Sequence, residues 1–153
     1  MTFRAGYLTP REASIWDLRR RNLSQSDIGR KLGVSRQAVH KAYQVIDQKV
    51  EQAFIEAADT NNLEVKTVNL IDGVMLAYSP AHSIPVIVSL SKSNGLKVWY
   101  LYEGNCDTCN LNTSCRTILE AEAAERDIKL QTVDQLTTPT QLANKIFGRY
   151  QLD

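Results

Sequence analysis

One glycine constrains this chain more than any other residue. Gly33 lies between two stretches that each open on a serine, Ser24 and Ser35. Ser24, with Asp27 three residues on, reads as the cap of a helix whose Ile28 and Leu32 share one face at i, i+4. Gly33 ends that helix, because the turn needs a residue that tolerates positive φ. Ser35 caps the next helix only two residues later. Two helices joined by so short a turn hold a fixed angle when a small residue stands at their crossing and apolar residues pin both to a preceding helix. Gly29 is that small residue, and Ile28, Leu32, Val34, Val39 and Ala42 are spaced for the pinning. Most motifs of this kind carry alanine at the crossing. Gly29 costs about 1 kcal/mol of helix propensity and permits a closer approach. Residues 25–42 therefore read as a helix-turn-helix.

The preceding helix opens at Thr9-Pro10-Arg11-Glu12, with Thr9 as cap, Pro10 at the first helical position and Glu12 completing a capping box. Ala13, Ile15, Trp16 and Leu18 supply its apolar positions, and Arg19, Arg20 and Arg21 close it against the negative end of the helix dipole. The third helix meets no breaker until about Asn61. Its apolar residues fit a heptad, with Tyr43, Val50 and Ala57 at one position and Val39, Ile46 and Ala53 at the other. A helix packed on its own domain has a similar pattern. The favoured expectation is a helix that leaves the head and pairs with a second copy in a homodimer.

The string LTPREASIWDLRRRNLSQSDIGRKLGVSRQAVHKAY resembles the helix-turn-helix of the Tfx-like archaeal regulators and, more distantly, LuxR-type and sigma-factor region 4 domains. The resemblance covers about the first 45 residues. It implies a sequence-specific transcription regulator that binds double-stranded DNA through the major groove. Residue chemistry agrees. Arg36, Gln37, His40 and Lys41 project from the start of the recognition helix, away from Val39; arginine can read guanine and glutamine adenine by paired hydrogen bonds. Ser35 and its helix N-terminus suit a phosphate. Arg19, Arg20, Arg21, Arg30 and Lys31 are candidate phosphate contacts. His40 has neither a carboxylate nor a second histidine near it in sequence, which argues against a catalytic or metal role.

Charge follows the same division. Residues 1–50 hold ten Lys/Arg against four Asp/Glu, a net of +6; the remainder holds eight against thirteen, a net of −5. A basic head on an acidic body suits a chain that meets a polyanion at one end.

After Asn61-Asn62 the pattern turns to strands: residues 63–70, then 74–78 across the Asp72-Gly73 turn, then 84–90 and 96–102 around Ser93-Asn94-Gly95. A helix over 116–126, a short strand over 128–132 and a last helix from Thr138-Pro139, carrying Leu142, Ile146 and Tyr150, complete the chain. The fold class expected is α+β: a three-helix head with a long third helix, then a small antiparallel or mixed sheet with helices on one side. The division expected is a DNA-binding head with its dimerisation helix over 1–60 and an α+β sensor domain over 61–153.

All three cysteines, Cys106, Cys109 and Cys115, lie within ten residues in a polar loop, spaced C-x2-C-x5-C. Such clustering points to metal or redox chemistry. Three readings stay open: an iron–sulfur cluster, of the 4Fe–4S kind, with a fourth ligand from elsewhere; zinc, which also wants a fourth ligand; or bare thiols acting as a switch or joined in a disulfide. His82, Asp107 and solvent are the candidates for the fourth position. The function expected is a homodimeric regulator whose C-terminal part senses redox state, oxygen or iron at these cysteines. The alternative keeps the DNA-binding head but makes the zinc structural, or the thiols a switch, with a small-molecule pocket in the sheet.

Other classes fit poorly. There are no paired carboxylates at acid/base spacing, no Ser/His/Asp constellation and no glycine loop to cradle phosphate, so no enzyme is expected. Cys106-x-x-Cys109 does not open a helix after a strand, as a thiol oxidoreductase would require. No apolar run approaches the roughly 20 residues of a membrane span, and residues 1–13 lack the apolar stretch of a signal peptide. A cytoplasmic location with no membrane partner is the expectation.

Overall fold

The computed structural model describes residues 8–102 and 106–150. Helix α1 spans Pro10–Arg20; Thr9 and Glu12 form the full capping box, each side chain bonding the other's backbone N–H. Helix α2 spans Gln25–Leu32, with Ser24 Oγ accepting the Asp27 N–H at 3.1 Å. Gly33 stands in the left-handed region (φ 70°) and returns its N–H to Gly29 O. Helix α3 spans Arg36–Asn61 and ends on the left-handed Asn62. These local stops lie where the capping residues and breakers put them.

Four strands follow: β1 (Glu64–Asn69), β2 (Val74–Ser79), β3 (Ile84–Ser91) and β4 (Gly95–Tyr100). They form one antiparallel sheet in the order β1-β2-β3-β4, with registers such as Leu76↔Ile87 and Val86↔Tyr100. A single-turn 3-10 segment, Cys106–Thr108, leads to α4 (Asn112–Glu125). Another covers Thr132–Leu136, α5 spans Pro139–Phe147, and a third 3-10 turn covers Gly148–Tyr150.

Helices cover both faces of the sheet, not one. Met75, Ala77, Val86, Val88 and Leu90 pack with α1 and α3, while Val74, Leu76 and Ile87 pack with Leu119, Leu142, Ile146 and Phe147 of α4 and α5. The reason is visible in β3: Val86-Ile87-Val88-Ser89-Leu90 is buried throughout, as a strand with two covered faces must be. An α+β layering of helices, sheet and helices results.

Three sequence expectations change. The heptad stripe of α3 is filled by the chain itself: Val39, Ile46, Val50, Ala53 and Ala57 are buried in the same cluster as Trp16, Met75 and Val88. The cluster that covers the stripe holds residues from both sides of position 60. No strand forms over residues 128–132; Ile128 and Leu130 pack against the second core from a stretch without regular secondary structure. Helix α4 begins at Asn112, not at residue 116, although Leu111 offers no capping side chain.

Candidate nucleic-acid interface and cysteine cleft

The first two turns of α3 are fixed from beneath and free above. Beneath, Val39 is fully buried, and Ser35 Oγ accepts the Ala38 N–H at 3.1 Å. Above, Arg36, Gln37, His40 and Lys41 are exposed. They line one shallow depression of about 370 Å3 together with Gln25, the first residue of α2. Gln25 Nε2 and His40 Nδ1 stand 3.2 Å apart. Arg36, Gln37 and Lys41 make no hydrogen bond or ion pair with any described residue. Gln25 was not among the sequence candidates; its place at the start of α2, facing α3 across the turn, is the signal that could have found it. The Ser35 hydroxyl is occupied as a cap, so what the helix end offers an anion is its backbone N–H groups.

The five remaining basic candidates separate. Lys31 is exposed and unpaired with any described residue. Arg30 is 75% exposed and pairs with Asp27; Arg21 is 59% exposed, its Nε 3.2 Å from Asp17. Arg19 is bound to Asp47 at 2.8 Å and lies over the Tyr43 ring, 4.3 Å from its centroid. Arg20 turns inward: its side chain is 4% exposed, 2.9 Å from Asp17 and 5.0 Å from the Trp16 ring centroid. The arginine run thus winds around α1, because successive helical residues are about 100° apart; Arg20 falls on the buried face with Trp16.

The cysteines converge on a second place. Cys106, Cys109 and Cys115 line one cleft of about 400 Å3 at the β4 edge, closed by Trp99, Tyr102, Leu111 and the Pro139 end of α5. None is in a disulfide. Cys106 and Cys109 flank the 3-10 turn, where Cys109 N–H bonds Cys106 O at 3.2 Å; Cys115 lies in the first turn of α4. The Leu111 N–H reaches Cys109 Sγ at 3.4 Å, and Thr140 Oγ1 is 3.7 Å from Cys106 Sγ. Burial pushes the Cys115 thiol above its ordinary range, and charge on Cys109 or Cys106 pushes it the same way. Among the described residues no three His, Cys, Asp or Glu side chains are placed around a single ion. His82, in the turn between β2 and β3, does not line the cleft; its ring is edge-on at 5.4 Å to Tyr100, which does. The Asp107 side chain lies outside the described set.

A buried ion pair joins α4 to the sheet and was not foreseen. Glu122 and Arg126, one turn apart, are both sequestered. Arg126 also donates to the backbone oxygens of Asp72, Gly73 and Leu90, and Glu122 accepts from Ser89 Oγ at 3.1 Å. Burial pushes the Glu122 carboxyl upward while Arg126 pulls it down. The i, i+4 spacing of opposite charges within an alanine-rich helix was the available signal.

Among the described residues no helix is long and apolar enough to cross a membrane. The chain matches no family model, no curated protein and no solved structure.

Proposed function

We propose that α2 and α3 form a helix-turn-helix and that the protein is a sequence-specific regulator of transcription, binding double-stranded DNA with the start of α3 in the major groove. The observation that carries this reading is the set Arg36, Gln37 and Lys41: three exposed donor side chains, unpaired with any described residue, on the first two turns of a helix locked from below. Donor groups with no internal partner, on a rigid element beside free helix N–H groups, suit base edges flanked by phosphate. Lys31 and Arg30 extend the positive surface from α2. The net charge of −5 beyond residue 50 favours one orientation, with the head toward the polyanion.

Selection of duplexes from a random pool, followed by fluorescence anisotropy on the enriched sequence, tests the proposal. A common core sequence, bound far more tightly than the starting pool and lost in the Arg36→Ala/Lys41→Ala double variant, is the expected result. No enrichment, or equal affinity in the double variant, overturns it.

A further inference from the structure

We propose that Cys106, Cys109 and Cys115 hold a cubane iron–sulfur cluster in the cleft beside β4, with one iron left without a protein thiolate and open to an exogenous ligand. This site is independent of the DNA-binding reading.

Four observations carry it. The chain has three cysteines in all, and all three line the same cleft. Among the described residues that line it there is no histidine, aspartate or glutamate, and the three thiols suit iron–sulfur or other thiophilic centres. A single tetrahedral zinc with Zn–S bonds of roughly 2.3 Å would gather the sulfurs to within about 3.8 Å of each other. A cubane gives each sulfur its own iron, so the thiolates stand further apart, and a cleft of about 400 Å3 has room for the core. Finally, a backbone donor already points at sulfur: the Leu111 N–H at Cys109 Sγ, 3.4 Å away. Hydrogen bonds to sulfur stabilise the anionic cluster and tune its potential. Trp99, Tyr102 and Leu111 wall the cleft with mostly apolar surface, which limits hydrolysis of the core.

The test uses the full chain under anaerobic conditions and a preassembled [4Fe–4S] cluster carrying four 2-mercaptoethanol thiolates. Each cysteine gives its proton to a departing mercaptoethanol as its sulfur takes that place on iron. Three ligands exchange, one stays, and no electron moves. The expected product, after gel filtration, holds about four iron, four sulfide and one retained mercaptoethanol per chain, with absorption near roughly 400 nm. Cys109→Ser, at an exposed position, lowers retained iron at least about tenfold with an unchanged far-ultraviolet circular dichroism spectrum. His82→Ala retains the full cluster. Three results overturn the proposal: no iron retained by the wild-type chain, one tightly held zinc per chain that the cluster cannot displace, or complete loss of mercaptoethanol with loss of the cluster in His82→Ala. Retention is measured without DNA, so its failure leaves the DNA-binding reading untouched.

Discussion

Arg20 of α1 stands 3.6 Å from Glu125 at the end of α4, with both side chains nearly sequestered from water. Glu125 also accepts the backbone N–H groups of Lys92 and Ser93, at 2.8 and 3.2 Å. The helix that begins beside the cysteine cleft therefore holds the first helix of the head at its other end. Arg20 has buried Nε and Nη1 atoms with no hydrogen-bond partner, so it depends on the acceptors it does have. Glu125→Gln is expected to lower stability by about 1–3 kcal/mol, read as a shift in the urea midpoint. An unchanged midpoint would show that the contact contributes nothing.

Replacing Gly29 by alanine should destabilise, although propensity alone favours alanine by about 1 kcal/mol. A Cβ at Gly29 would lie 2.7 Å from Val34 O, a backbone atom of the turn. Separating α2 from the turn should cost about 1–3 kcal/mol and outweigh the gain. Thermal unfolding of Gly29→Ala decides the sign, and a raised midpoint refutes the close-approach argument.

The head should be acid-sensitive through Glu12. Burial acts to raise its carboxyl, but Lys49 Nζ, 2.7 and 3.0 Å from its oxygens, and the Thr9 N–H outweigh this and hold it below the usual 4.5. A depressed native value means the contribution is present above about pH 4.5 and lost as pH falls through the lowered value. Urea midpoints measured from pH 6 to pH 3 should fall less steeply for Glu12→Gln than for the wild type. Parallel curves would exclude Glu12 as a source of the acid dependence.

Charge on the DNA-facing side should divide into two kinds. Arg36→Ala is expected to lower affinity for the selected sequence by about 1–3 kcal/mol and for unrelated duplex much less. Lys31→Ala should weaken both alike and reduce the salt slope by about 1. Arg20→Met should change the urea midpoint but not the salt slope, because its side chain is internal. A salt slope altered by Arg20→Met would reassign that residue to the interface.

Much of the fold could be read from local chemistry. Thr9, Ser24 and Ser35 cap the helices they were expected to cap, the last helix starts at Thr138-Pro139, and Asp72-Gly73 and Ser93-Asn94 lie in the turns of two hairpins. Residues 128–132 show where a local reading misleads: Ile128 and Leu130 do pack against a core, but a strand also needs a neighbour's backbone. Of the interface, exposure at Arg36, Gln37, His40 and Lys41 followed from their spacing opposite Val39, whereas the inward turn of Arg20 depended on Asp17, Trp16 and Glu125 arriving around it.

The glycine at position 33 shows what the sequence alone determined. Its helix stop, and the caps on either side, involve atoms at most five residues apart and need no distant partner. The apolar stripe of α3 was equally plain, but its destination was not. A stripe requires only burial, which a second copy or the chain's own sheet can supply with equal chemistry. Tertiary structure decided for the sheet, and with it joined head and body through one core. The cysteines divide in the same way: their grouping in sequence is local, whereas the soft-walled cleft they share is made by β4, α4 and α5 meeting at a sheet edge.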